Sequence, residues 1–209
     1  MLALSQARGC PAELPDTDLV AVLLRLARRV LPEGESCDLL ILATTKGDLP
    51  RYGAALMAGD SASALSGSPA DLAAELGRRL EIPAFALSAA CASGPAALGE
   101  AARRILTGQA RRVLVLAGDR LSDFVRDGFA ALQALDPDTC RPFDLARAGL
   151  ILGETAAAML LSADASPGVW LQGWGAAMDA QHLTGPARDG AGVRAACAAA
   201  LQRGGDQPP

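Results

Sequence analysis

The chain has 209 residues, 51% of them apolar and only 3% aromatic, with 22 glycines. That size suits one domain or slightly more, with a core of Ala, Leu and Val that lets helices pack closely on a sheet. A net charge of -4 with scattered basic residues excludes a nucleic-acid footprint, and no run of eighteen apolar residues offers a membrane span.

The five cysteines, Cys10, Cys37, Cys91, Cys140 and Cys197, contain no C-x-x-C pair, and His182 is the single histidine. This set assembles neither a zinc site nor a thioredoxin-like motif, so no metal is expected and a reduced cytoplasmic setting is the default. The N-terminus lacks the basic start and apolar run of a signal peptide.

In chain order, Leu19, Val22, Leu23, Leu26 and Val30 fall at helical spacing, with Asp16 or Thr17 as the expected cap. Residues 38–44 read as a buried strand ending in a Thr-Lys-Gly turn, followed by a Gly/Ser-rich loop over 59–69. A second helix is expected over 69–82 and a strand over 83–90, then a helix opened by Cys91, a strand over 111–119 and a helix around 121–135. A turn-rich loop spans 136–149. Strands over 156–162 and 169–177 and a last helix over 193–202 complete the reading. Strands alternating with helices predict an α/β layered domain with a largely parallel sheet.

Cys91 stands where an apolar run meets the helix of "FALSAACASGPAALGEAARRILTG", residues 85–108. Pro95 suits the first turn and Gly108 the stop. Unpaired N–H groups and the positive dipole end at such a position favour thiolate over thiol. The same N–H groups could hold an oxyanion, and Ala89, Ala90, Ala92, Ser93 and Gly94 leave room for an acyl chain. A buried structural cysteine satisfies the same position equally well.

The segment "SAACASGPAALGEAARRI" resembles the nucleophile segment of β-ketoacyl-acyl carrier protein synthases, condensing enzymes of the thiolase-like superfamily. Further stretches match in the same order: "ATTKGD" (43–48), 113–144, "GLILGETAAAMLL" (149–161) and "DAQHLTGP" (179–186). The resemblance implies a thiolase-like α/β fold with a mostly parallel sheet, of which this chain is the N-terminal half plus the start of the second half. The expected division is 1–163 for the first half and 164–209 for the opening of the second. Before Leu19 no counterpart of the family's first glycine-rich strand is read.

By the same resemblance Cys91 is the acyl-accepting nucleophile, Phe143 and Phe129 contact substrate, and the chemistry is decarboxylative Claisen condensation in fatty-acid or polyketide biosynthesis. No cofactor is implied beyond the phosphopantetheine carried by the partner, acyl carrier protein. Association is expected as a homodimer or with a synthase subunit, through the strand before the nucleophile. The family's histidine-bearing "HGTGT"-like and "GHxxGAAG"-like stretches do not occur here, so the decarboxylating histidines are expected from another chain. A non-catalytic partner subunit resembling chain-length factors, or an inactive fragment, is the alternative.

Seven residues keep two readings. Lys46 is a phosphate contact or a solvated strand-end lysine; Phe124 and Phe129 line an acyl tunnel or dimer seam, or join the core. Phe143 and Asp144 line a site entrance, or belong to a loop anchored by an Arg141–Asp144 interaction. Glu154 and His182 read as structural side chains ahead of catalytic ones.

Overall fold

Strands covered on both faces need apolar side chains at every position rather than at every second one. "LLILA" and "VLVLA" have that character, and they become the two central strands of the parallel part of the sheet. The computed structural model describes residues 2–10, 18–31, 34–60, 63, 65–136, 138–164, 169–181 and 185–205. Its strands are β1 (Leu2–Cys10), β2 (Leu39–Ala43), β3 (Ala84–Leu87), β4 (Arg112–Asp119), β5 (Thr155–Ser162) and β6 (Val169–Leu171). Its helices are α1 (Leu19–Val30), α2 (Leu49–Met57), α3 (Pro69–Leu80), α4 (Ser93–Leu106), α5 (Asp123–Ala131) and α6 (Ala191–Gly204).

The strands form one sheet in the order β3-β2-β4-β5-β1-β6. Parallel pairing joins β2 to β3 and β4, with Leu40 opposite Ala84 and Leu114. Because β5 runs antiparallel to both β4 and β1, and β6 antiparallel to β1, four strands point one way and two the other. The expected layered α/β fold is therefore present, and its mostly parallel character lies in strand direction; three of the five neighbouring pairs are antiparallel.

Side-chain alternation divides the core into two. Leu40, Leu42, Leu114, Leu116, Ala158 and Leu160 meet α1 and α3 on one face. Ile41, Ala43, Val113, Val115 and Leu161 meet Ala97, Ala101, Ala102 and Ile105 on the other. The small alanines of α4 bring that helix close to the sheet, as the aromatic-poor composition requires. At about 25 cal/mol per Å², this two-sided burial is the main force holding the layers together.

Several boundaries differ from expectation for identifiable reasons. The cap of α1 is Asp18, whose carboxylate accepts the Val20 N–H; Asp16 and Thr17 lie outside the described residues. Helix α2 was not expected, and Asp48 caps it by accepting the Arg51 N–H at 3.2 Å, with Pro50 in its first turn. Helix α5 stops at Ala131 because Gln133 turns into the left-handed region at φ 53°. β3 ends at Leu87, and β6 at Leu171. Strand β1 supplies an N-terminal strand that the sequence reading did not find; it is held by backbone pairing with β5 and β6.

Candidate active site at the end of β3

In open α/β sheets, ligands bind at the carboxyl ends of parallel strands. Three such ends lie side by side here: Ser88 onward after β3, Thr44 to Gly47 after β2, and Asp119 closing β4. The chain between Ser88 and Ser93 makes the tightest feature of this edge. Ala90 sits at φ 48°, in the left-handed region that a Cβ disfavours. The Ala92 N–H donates to the Ala89 carbonyl at 3.0 Å and the Ser93 N–H to the Ala90 carbonyl at 3.1 Å. Cys91 projects from this turn and is exposed.

The exposed thiol removes the reading of Cys91 as a buried structural cysteine. It also corrects the position assumed for it. Helix α4 begins at Ser93 with Ala92 as its cap, so Cys91 precedes the helix rather than opening it. The N–H groups of Ala92 and Ser93 are engaged by the turn itself. Space for an acyl group is present nearby: a Cβ added at Gly94 would meet nothing within 4 Å.

Ser93, buried beneath the turn, holds its shape. Its Oγ accepts the Ala89 N–H at 2.9 Å and donates to the Ala90 carbonyl at 2.6 Å, with the Thr44 carbonyl 3.3 Å away. On the neighbouring strands, the Asp119 carboxylate accepts Thr44 Oγ1–H at 2.8 Å, Thr45 Oγ1–H at 2.9 Å and Thr45 N–H at 3.0 Å. The sequence reading named Ser93 only as a small neighbour of Cys91, and assigned Thr44, Thr45 and Asp119 no role at this edge. The available signal was an acid closing one buried run while two threonines closed another.

Two cavities lie beside this edge. One, of about 1000 Å³, runs between the start of α2 (Leu49, Pro50), the β4–α5 turn (Arg120 to Phe124) and Glu154. The other, of about 410 Å³, is lined by Lys46, Phe124, Val125, Phe129 and Leu132. Phe129 and Lys46 are thus brought together, while Cys91 lines neither cavity. Phe124 is 74% exposed and faces both, which removes the core reading for it. Lys46 is exposed at the rim.

Phe143 stands fully exposed at φ 62°. Arg141 and Asp144 do interact in this loop, through the backbone rather than as an ion pair. The Asp144 N–H donates to the Arg141 carbonyl at 3.3 Å, and the Arg141 guanidinium donates to the Ala146 carbonyl at 3.2 Å. Glu154 is a hydrogen-bonding side chain that accepts the Leu121 N–H at 2.8 Å. His182 lies outside the described residues. Among the described residues no cluster of acidic, Cys or His side chains could hold a metal ion, and no helix is long and apolar enough to cross a membrane.

Comparison with known proteins matches this architecture. The family model for the β-ketoacyl synthase N-terminal domain covers residues 40–166. Nodulation protein E of Rhizobium meliloti is 35% identical over 116 residues, which are 52% of this chain and 29% of that protein. The 3-oxoacyl-[acyl-carrier-protein] synthase 2 of Vibrio harveyi is 34% identical over 139 residues, 60% of this chain and 34% of that protein. This chain therefore spans about a third of the length of these curated relatives.

A chain from a ketosynthase–chain length factor complex of Xenorhabdus doucetiae superposes with a TM-score of 0.76 at 26% identity, covering 96% of this chain and 60% of that one. A β-ketoacyl synthase from Burkholderia phymatum shares the fold, with a TM-score of 0.72 at 23% identity, over 88% of this chain and 53% of its own. With more than half of its residues inside the family match, and a thiolase-like ketosynthase fold around them, this chain belongs to the β-ketoacyl synthase N-terminal domain family.

Proposed function

We propose that this chain is the nucleophile-bearing half of a β-ketoacyl synthase-type acyltransferase of fatty-acid or polyketide biosynthesis, working in the cytoplasm. The observation that carries the reading is the exposed Cys91 thiol, presented by the left-handed Ala90 turn at the carboxyl end of β3. The Cys91 sulfur attacks the thioester carbonyl of an acyl chain delivered on the phosphopantetheine of acyl carrier protein. A new carbon–sulfur bond forms, the old one breaks, and the pantetheine thiol leaves with the proton Cys91 gave up. Phe129, in the apolar cavity beneath Lys46, and Phe143, exposed on its loop, are the proposed substrate contacts. The proposed division at 163/164 falls close to the end of the family match at 166.

Decarboxylative condensation asks for more. An enolate must be stabilised, relatives of this type are expected to use two histidines for it, and His182 is the single histidine in the sequence. Those donors lie outside residues 1–209, and the chain is proposed to associate as a homodimer or beside a synthase subunit. The free edge of β3 supports such pairing, since β2 is its single neighbour in the sheet. The reading as a non-catalytic partner subunit is kept because two structural neighbours are complexes of a ketosynthase with a chain length factor.

Intact-mass measurement after incubation with acyl carrier protein thioester, with Cys91→Ala as control, separates the two. An acyl adduct that disappears in the control supports the acceptor; no adduct on the wild-type chain supports the partner subunit. Labelled carbon dioxide release from malonyl carrier protein by the chain alone is expected to be undetectable. Robust release, abolished by Cys91→Ala, would place the decarboxylating groups in this chain.

A further inference from the structure

We infer that Asp119 is a positioning residue for the Cys91 thiol, acting across the central strand β2 through Thr44, Thr45 and Ser88 at the start of the turn. This rests on the reading of Cys91 as acyl acceptor.

Because β2 separates β3 from β4 in the sheet, Asp119 reaches the turn through β2. Three donors converge on its carboxylate: the hydroxyls of Thr44 and Thr45 and the Thr45 N–H, which is also 3.2 Å from the second oxygen. All three reach the same oxygen, Oδ1, and the second oxygen faces the Thr45 N–H; in asparagine that second position becomes an NH2 donor set against another donor, which the carboxylate avoids. Thr44 is fully buried, so its hydroxyl has no solvent to turn to. That hydroxyl also accepts the Gly47 N–H at 3.0 Å, fixing the turn after β2.

The consequence appears on the other side of β2. With both threonines clamped, their carbonyls are held toward the turn after β3. The Thr45 carbonyl accepts Ser88 Oγ–H at 2.7 Å, and the Thr44 carbonyl packs 3.3 Å from Ser93 Oγ, whose single proton goes to the Ala90 carbonyl at 2.6 Å. Ser88 therefore fastens the start of the segment that contains Ala90 and Cys91 to the clamped strand end, while Ser93 closes its far end through Ala89 and Ala90. A non-glycine residue at φ 48° persists only where its surroundings over-determine it. Releasing the clamp lets Ala90 relax toward ordinary φ and swings the sulfur away from its presented direction.

Two reactions of the same thiol separate positioning from general stability. Alkylation by iodoacetamide needs only an accessible sulfur. Attack on an octanoyl-pantetheine thioester needs that sulfur held at a fixed angle to a bound carbonyl. In Asp119→Asn, Cys91 acylation is expected to slow about tenfold, a fraction of the loss a 1 Å misplacement can cause, while alkylation at Cys91 stays within about twofold of the wild-type chain. Val22→Ala, in α1 on the opposite face of the sheet, lowers stability and is expected to leave both rates alone.

Ser88→Ala removes an exposed hydroxyl and one fastening, and decides the matter should Asp119→Asn fail to fold. Its acylation is also expected to slow relative to alkylation. Equal acylation rates in these variants and the wild-type chain overturn the inference while leaving the role of Cys91 intact. An unacylated wild-type chain overturns both. Acylation and alkylation falling together in Asp119→Asn and Val22→Ala reduce Asp119 to a stabilising residue and overturn the inference as well.

Discussion

Adding one methyl group to this protein should have opposite effects at two helical glycines, and the structure fixes the sign of each. Gly53 lies inside α2, where a Cβ would meet nothing within 4 Å. Gly53→Ala there removes backbone freedom from the unfolded chain and gains helix propensity, stabilising by about 0.5–1 kcal/mol. Gly99 lies inside α4 and is buried. A Cβ on Gly99 would stand 2.5 Å from Trp174 Cδ1, 3.0 Å from its Nε1 and 3.2 Å from its Cγ. Ordinary carbon contacts need about 3.5–4.0 Å, so the indole would have to withdraw by roughly 1 Å.

Withdrawal is blocked. The Arg203 guanidinium stacks over the Trp174 ring at 5.4 Å and donates to the Trp174 carbonyl at 2.8 Å. On either side, Gly173 and Gly175 lie against the backbone of α6 at Ala200 and Ala196 so closely that neither could carry a Cβ. Overpacking costs about 1–3 kcal/mol, and this pinned ring belongs at the upper end. After the propensity gain, Gly99→Ala is expected to destabilise by about 1–2 kcal/mol.

For a chain of this length that is a fall of roughly 2–8 °C in Tm, against a rise of a few degrees for Gly53→Ala. Urea titration should show the same order without a change in slope. Tryptophan emission should shift to the red in Gly99→Ala as the indole leaves its half-buried slot, and remain unchanged in Gly53→Ala. If Gly99→Ala raises stability as Gly53→Ala does, Trp174 is not seated on α4, and the docking of residues 172–178 and α6 described above is wrong.

Cys37 is buried, and burial pushes its thiol above the ordinary range; with limiting iodoacetamide, peptide mapping should find the exposed Cys91 labelled ahead of Cys37, which is modified only in denaturant. Early labelling of Cys37 in the folded chain would contradict the packing of the α1 and α3 layer. Hydrogen bonds from Arg103, with Arg104 beside it, lower the Glu100 carboxyl to about 2. The group is depressed in the folded chain, so its contribution is complete above about pH 4.5 and lost as pH falls toward 2. At a surface pair it is worth less than about 1 kcal/mol, and an acid titration of Glu100→Gln should lose stability less steeply in that window than the wild-type chain.

What was legible in the sequence was what both faces of the sheet impose. β2 and β4 are buried on both sides and read as unbroken apolar runs, and α1 shows its stripe because Leu19, Leu23 and Leu26 all enter one core. Helix α2 is short and buries none of its residues, and a proline stands in its first turn; Leu49, Tyr52 and Leu56 at helical spacing, after Asp48 as cap, were the signal that marks it. β1, with Ser5, Gln6 and Arg8 interrupting its apolar residues, exists through pairing with strands more than 140 residues away, which no local pattern announces. The expected strand over 169–177 stops at Leu171, and the glycines beyond it pack on α6 instead of extending the sheet.

The site divided along the same line. A cysteine between a strand and a helix is a local arrangement, and its neighbours in sequence were enough to single out Cys91. How the thiol is presented is not local. The turn needs Ala90 in the left-handed region, and the N–H groups of Ala92 and Ser93 are spent on closing it. The groups that hold it, Thr44, Thr45 and Asp119, sit roughly 30 to 45 residues from Cys91 in sequence and meet only because β2 lies between β3 and β4. A short turn with no glycine at its left-handed position cannot keep that conformation by propensity. It keeps it because Ser93 closes it from within and Ser88 ties its start to a strand whose own end is clamped by a carboxylate. In this fold the sequence neighbours of Cys91 supply the nucleophile and the room around it, and the adjacent strand ends supply the direction in which it points.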